Sequence, residues 1–316
     1  MTRPPLLAVL VAALAVPLSG QGVPEVVSAC LGNADPTETA RCTDVELALQ
    51  AAQGDMALLN AGGTDLPGAA STLGKRTGSS PRLSFSGRLH AVRFEAPDLR
   101  DAALSPAPGH SAVAPAIQAT AALGLFRGFS PSPTMGGLFA LDVLATGTFL
   151  FPPGSLGYRG TGFGYGLGAR LGVFRESFTL PGITVSATQR WMQGVEVAGS
   201  SLGSDSGLSF GTSTTSVRAY VGKDLWGLGF LGGIGWDRTS SDATFPAAAG
   251  GTASVDGFTN SRRLFFAGAS WSYFLIQLSG EVGWASGWDA PPGRAEGSYD
   301  PATGRAYGGL ALRLIY

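Results

Sequence analysis

From about residue 82 onward the chain alternates between apolar and polar positions, segment after segment. In FALDVLATGTFLF, Phe139, Leu141, Val143, Ala145, Phe149 and Phe151 share one parity, and Asp142, Thr146 and Thr148 the other. In ITVSATQRW, Ile183, Val185, Ala187 and Trp191 oppose Thr184, Ser186, Thr188 and Arg190. In FLIQLSGEVGW, Ile276, Leu278, Val282 and Trp284 oppose Gln277, Ser279 and Glu281. Period-two alternation puts successive side chains on opposite faces of a strand. It predicts about ten strands, near 82–94, 112–126, 137–151, 164–175, 181–192, 208–222, 226–238, 262–273, 274–286 and 305–316. Many exceed the usual five or six residues and match the roughly nine to eleven that a tilted strand needs to cross a bilayer.

The connections are sorted. Those at 95–111, 152–163, 193–207, 239–261 and 287–304 read as long, and those between them as short turns. Long loops at one end and tight turns at the other are how bacterial transmembrane barrels are built, the short turns facing the periplasm. An even strand count returns the C-terminus to the end where the first strand began, so both termini are expected in the periplasm.

The two faces point to the solvent. One is aliphatic, with aromatic rings near segment ends at Phe151, Trp191, Trp236, Trp271, Trp284 and Tyr316, as suits a membrane–water interface. The other carries Gly, Ser, Thr and isolated charges, too few for an ordinary wet surface. Lipid outside and a polar lumen fit this division. Lipid also requires closure, because unpaired backbone groups in hydrocarbon cost several kcal/mol each. A soluble exported β-sandwich is the alternative, since periodicity alone does not say which face is wet.

Composition narrows the reading. The 316 residues include 48 Gly, only 14% are charged, and the net charge of -1 supplies no basic face for nucleic acid. No apolar run after the start reaches the roughly 20 residues of a membrane-spanning helix. The start, MTRPPLLAVLVAALAVPLSGQG, has the three-part form of a secretory signal peptide over 1–22. In an exported chain the close pair Cys30 and Cys42 reads as a disulfide. No metal site or cofactor is expected, the only histidines being His90 and His110.

Residues 30–60 carry helix formers after an Asp35-Pro36-Thr37 start signal. Residues 61–81 are rich in Gly, Ser and Pro and read as a linker. The expected organisation is therefore a signal peptide (1–22), a disulfide-stapled helical segment with a flexible lead (23–81) and a barrel (82–316). The helical segment either plugs the barrel from the periplasmic side or caps it from outside, and its private disulfide favours the plug.

The last ten residues, YGGLALRLIY, place Leu310, Leu312, Leu314 and Tyr316 on one face with Arg313 opposite. This resembles the C-terminal signal of bacterial outer-membrane β-barrel proteins, in which a terminal aromatic follows apolar residues at every second position. The resemblance implies insertion by the barrel-assembly machinery, with periplasmic chaperones and outer-membrane lipids as partners. It names no cargo. The fold expected is a closed antiparallel barrel of about ten strands, within a range of 8 to 12, with a short N-terminal helical element.

Candidate lumen residues are Asp142, Arg170, Arg190, Arg218, Asp237, Glu281 and Arg313. They either line an anion-favouring constriction or pair with one another to fill a narrow barrel. Neither histidine lies in a recognised hydrolase or metalloprotease motif, and His90 reads better as a barrel-lining or interfacial residue than as a general base. GYGLG (Gly164–Gly168) and GLGFLGGIG (Gly227–Gly235) lie within strands rather than between strand and helix, so they are not phosphate loops. The function expected is a passive pore or a structural barrel that displays its loops. An outer-membrane enzyme and a hydrophobic-substrate transporter with an N-terminal plug are the alternatives.

Overall fold

A computed structural model of the chain describes residues 23–32, 39–73, 82–97, 108–130, 136–178, 180–197, 208–248, 250–288 and 299–315. The signal-peptide segment, the Asp35–Thr37 start signal and Tyr316 lie outside the described residues. Helices α1 (Val23–Leu31) and α2 (Thr39–Ala61) precede strands β1 (Leu83–Pro97), β2 (Gly109–Phe126), β3 (Ala140–Leu150), β4 (Tyr158–Arg159), β5 (Gly162–Phe174) and β6 (Gly182–Val197). Strands β7 (Leu208–Leu225), β8 (Leu228–Pro246), β9 (Thr252–Tyr273), β10 (Ile276–Ala285) and β11 (Arg305–Ile315) complete the chain. All but the two-residue β4 form a closed antiparallel wall in chain order, with β6 pairing β7 and β11 returning to β1. In that closing seam Leu89 faces Leu310 and His90 faces Gly309. Closure leaves no unpaired strand edge, as a hydrocarbon solvent demands.

The alternation changes sense along the strands. In β1 the inward residues run Ser84, Ser86, Arg88 and His90, then turn apolar at Val92 and Phe94. The outward residues run Phe85 and Leu89, then turn polar at Arg93 and Glu95. The first half of the strand is thus apolar outside, and the second half is apolar inside like a soluble protein. Each half buries its apolar parity against what surrounds it, lipid below and the barrel's own contents above.

The same switch explains a correction. The stretch 239–261 was expected to be one long connection, but β8 runs to Pro246 and β9 begins at Thr252. Here the outward residues Arg238, Ser240, Asp242 and Thr244 are polar while Ala243 and Phe245 point inward. The lipid-facing signature disappears although backbone pairing continues, from Ser241 opposite Phe258 to Pro246 opposite Thr252.

The lipid belt is delimited by aromatic rings at both ends. Trp271, Trp284 and Phe151 are exposed, and Trp191, half-buried, stacks on Tyr165 with ring centroids 5.3 Å apart. Trp236 is half-buried, with its inward neighbour Asp237 fully buried. The short turns add a ring of apolar tips not foreseen from the sequence: Phe129, Phe139, Phe178, Trp226 and Phe274. Three of these, Phe139, Trp226 and Phe274, have positive φ, each at or beside a turn. From Phe274 to Trp284 the chain rises about 25 Å, taking about 3.3 Å per residue and a tilt of about 40°. That is the height of an outer-membrane apolar band.

The N-terminal segment is inside the barrel. Nearly every described side chain from Cys42 to Leu73 is buried. Helix α1 packs on β9 and α2, and Ala248 N donates to Cys30 O at 2.8 Å, so this helical hairpin sits at the long-loop mouth. A disulfide joins Cys30 and Cys42 across it. Residues 62–73 then run down the lumen to the short-turn end, where Leu73 meets Asp142 and Arg82.

Along this path the described part of the linker, Ala61 to Leu73, is clasped coil rather than a flexible lead. Among the described residues, α1 and the end of β11 lie at opposite ends of the barrel.

Candidate functional site

The lumen is the candidate site, and its chemistry begins at the C-terminus of α2. The last carbonyls of a helix lack partners within it and carry the negative end of its dipole. Here the barrel wall supplies the donors. His90 Nε2 lies 2.5 Å from Leu59 O, so that nitrogen carries the proton and donates. Arg190 donates to Asn60 O at 2.5 Å, and Arg218 to Ala61 O at 2.9 Å. Arg88 reaches Gly62 O at 2.9 Å and Thr64 O at 2.7 Å. Three guanidinium groups and one imidazole therefore form a collar around the helix end. Inward parity on β1, β6 and β7 brings them to one level.

Each arginine of the collar has a carboxylate. Arg190 pairs with Asp65 at 2.9 Å, Arg218 with Asp237 at 2.6 Å, and Arg88 with Glu281 at 3.6 Å. Asp65 also accepts from the Ser186 hydroxyl, and Glu281 accepts from Thr64 Oγ1 at 2.6 Å. A buried charge is tolerated best when paired and hydrogen-bonded; Asp65 and Glu281 are both, and Asp237 is held by its ion pairs with Arg218 and Arg262. Gly63 fits between them because it has no side chain. Its φ is +82°, and a Cβ there would collide with the Glu281 carboxylate and the Arg88 guanidinium.

Below the collar the wall holds the coil by its backbone. Gln277 donates to Gly68 O at 2.9 Å, Arg170 to Ala69 O at 2.9 Å, and Thr184 to Ala70 O at 2.6 Å. Arg170 also reaches Ser71 O at 3.1 Å, Tyr220 Oη at 2.7 Å and Asp142 at 3.4 Å. Asp142 in turn accepts from Leu73 N at 2.8 Å. Above the collar, Asp55 on α2 pairs with Arg305 at 3.3 Å, and Arg305 with Glu95 at 3.3 Å. Arg262 lies 3.8 Å from Asp237 and over the Trp288 ring. The helix pair completes an apolar core there with Val92, Phe94, Phe245 and Phe266.

The structure thus places all seven sequence-derived candidates on the inner wall, with Asp142, Arg170, Arg190, Arg218, Asp237 and Arg313 buried and Glu281 nearly so. All seven meet the threaded segment or a partner that does, Arg313 through a hydrogen bond to Pro67 O at 3.4 Å. Arg313 stands apart in having no carboxylate partner among the described residues. Sequence reasoning overlooked Arg88 and Arg305, although each shares the inward parity of its strand. It overlooked Asp55 and Asp65 because nothing in the helix or linker marks them until the wall is folded around them. His90 is committed to the Leu59 carbonyl, and His110 is the second residue of β2, at the long-loop end.

No protein-family model matches the chain. No curated protein sequence matches it either. Solved structures do. The translocator domain of the autotransporter NalP from Neisseria meningitidis is 9% identical, over 74% of this chain and 88% of that one, with a TM-score of 0.40. The β-domain of the Bordetella autotransporter BrkA is 14% identical over 73% and 98%, with a TM-score of 0.40. The outer-membrane protease OmpT from Escherichia coli is 7% identical over 78% and 100%, with a TM-score of 0.38. These are bacterial outer-membrane barrels, and the likeness concerns architecture alone. Its closed antiparallel wall and the exposed apolar belt between aromatic rings give the chain the architecture of a transmembrane β-barrel.

Proposed function

We propose that this protein is an outer-membrane barrel held shut by its own N-terminal segment, a sealed scaffold that presents a disulfide-closed helical hairpin and long loops at the cell surface. The observation behind this reading is the use to which the lumen's charges are put. An open pore turns charged side chains toward passing water and ions. In this barrel five of the six paired carboxylates and arginines of the collar are buried against the threaded segment or one another, and each of the three arginines also donates to a carbonyl of the segment. The sorted connections support sidedness, with short turns toward the periplasm and the hairpin outside. The leucine-faced β11 suits recognition by the barrel-assembly machinery, and its outward face suits lipid.

Planar-bilayer recording tests the seal. Intact protein should give no conductance steps, whereas a variant lacking residues 23–73 should conduct, and steady conductance from the intact protein would overturn the reading. Sidedness is tested separately on whole cells with a membrane-impermeant maleimide. S28C, exposed on α1, should react without lysis and F274C, exposed at a short turn, only after it. The opposite pattern would reject the surface placement of the hairpin.

A further inference from the structure

We infer that the short-turn mouth of the lumen holds a binding site for a small oxyanion, a carboxylate or phosphate group, organised around Arg313. A cavity of about 220 Å³ lies there between the wall and the coil, lined by Gly68–Leu73 on one side and by Arg82, Lys223, Ser270, Ser272, Gln277 and Arg313 on the other. Arg313 is only 6% exposed. Its Nε has no hydrogen-bond partner, and its one bond goes to a neutral carbonyl, Pro67 O.

The other deep arginines provide the contrast. Arg88, Arg170, Arg190 and Arg218 each have a carboxylate within 3.6 Å. Among the described residues Arg313 has none within ion-pair reach. A buried guanidinium without a counter-charge is costly, and a cavity beside it is where a counter-charge fits.

The acidic groups of the cavity wall are otherwise engaged. Glu176 pairs with Lys223 at 3.8 Å and accepts from Asp224 N at 2.5 Å, and Asp224 accepts from Gly227 N at 3.0 Å. Thr72 Oγ1, also in the lining, is a buried hydroxyl without a partner. A guanidinium edge and a hydroxyl lining one cavity are the kind of donors that receive a planar carboxylate or a phosphate. The site lies inside the wall, beside the coil.

The test is thermal unfolding in an uncharged maltoside detergent, followed by tryptophan fluorescence, with millimolar phosphate or acetate compared against chloride at equal ionic strength. Binding to the folded state should raise the midpoint by about 2 to 4 °C, and Arg313→Met should remove the rise. Because that change falls in the closing strand, Ser272→Asp serves as the second variant. It places a carboxylate in the cavity lining and should abolish the response while the barrel still folds. An equal midpoint in all salts for the unaltered protein, or an undiminished response in S272D, would overturn the site. A rise seen with phosphatidylglycerol in the micelle but with neither free ion would assign the oxyanion to a lipid headgroup. A rise with the free ions would assign it to a soluble one. Bilayer conductance is read independently, so loss of this site leaves the sealed-lumen reading standing.

Discussion

Asp65 is the residue on which the collar's balance turns. It neutralises Arg190, accepts from Ser186 and lies in the coil that three arginines hold. Removing one member of a buried ion pair leaves the other desolvated and costs about 3–5 kcal/mol. Asp65→Asn should therefore lower the stability of the barrel by roughly that amount, seen as an earlier midpoint in a urea titration in micelles. The double variant D65L/R190M, which removes both charges, should recover most of the loss, since replacing a whole buried pair by apolar groups is often neutral. An unchanged midpoint in D65N would show that Arg190 is held by Asn60 O alone. Legibility at this scale was uneven. Parity exposed the inward arginines, but the partners Asp55 and Asp65 are single acidic residues in segments with no period, so their role depends on which strands surround them.

At the scale of the element, α2 mixes polar and apolar residues on every face and yet is buried. Its apolar residues Leu47, Leu49 and Leu58 join the upper core, and Glu46, Gln50, Gln53 and Asp55 are buried beside them. Burial pushes Glu46 from the ordinary 4.5 up to about 8, with its Oε1 lacking a hydrogen-bond partner. Burial also pushes Asp55 from 3.8 up to about 6, against the opposing pull of Arg305. Both groups hold protons more tightly folded than unfolded. Their contribution is thus fully present below the unfolded values and is lost as pH rises through the folded ones. Docking of α2 should weaken from about pH 4 to 6 through Asp55 and from about 4.5 to 8 through Glu46. Amide exchange of residues 39–61 should accelerate relative to its intrinsic rate across that range, and Glu46→Gln should flatten the upper part. Protection that grows with pH would contradict the assignment.

The whole molecule joins two kinds of interior along one axis. Its lower part is a barrel in lipid whose narrow lumen is filled by paired charges and coil. The upper part has an apolar core built around a helical hairpin. Exposed Phe85, Leu89, Ile117, Leu278, Leu310 and Leu312 would make a large apolar patch in water, beyond what a soluble monomer normally carries. In lipid the same belt is solvated, and closure leaves no edge from which unpairing could start. The folded barrel should therefore persist in SDS without heating and run at a different apparent mass from the boiled chain. A single position before and after boiling, together with recovery in the detergent-free soluble fraction, would contradict the lipid-facing belt.

The sequence by itself determined what depends on local spacing. Period-two alternation located the wall strands, their sense of burial and the sorted turns, because neighbouring side chains on a strand must face opposite solvents. Alternation failed between residues 239 and 261, where the outer solvent changes from lipid to water and no longer selects apolar side chains. Only the tertiary structure decided the course of the N-terminal segment. A helix end with unpaired carbonyls and a coil rich in glycine carry no record of the arginines that will hold them. The donors at the helix end come from β1, β6 and β7 and meet at one level only once the barrel has closed, and the β5 arginine holds the coil below them. The same closure that pairs the other inner arginines with carboxylates leaves Arg313 facing a cavity, a consequence of geometry that the alternating leucines around it do not reveal.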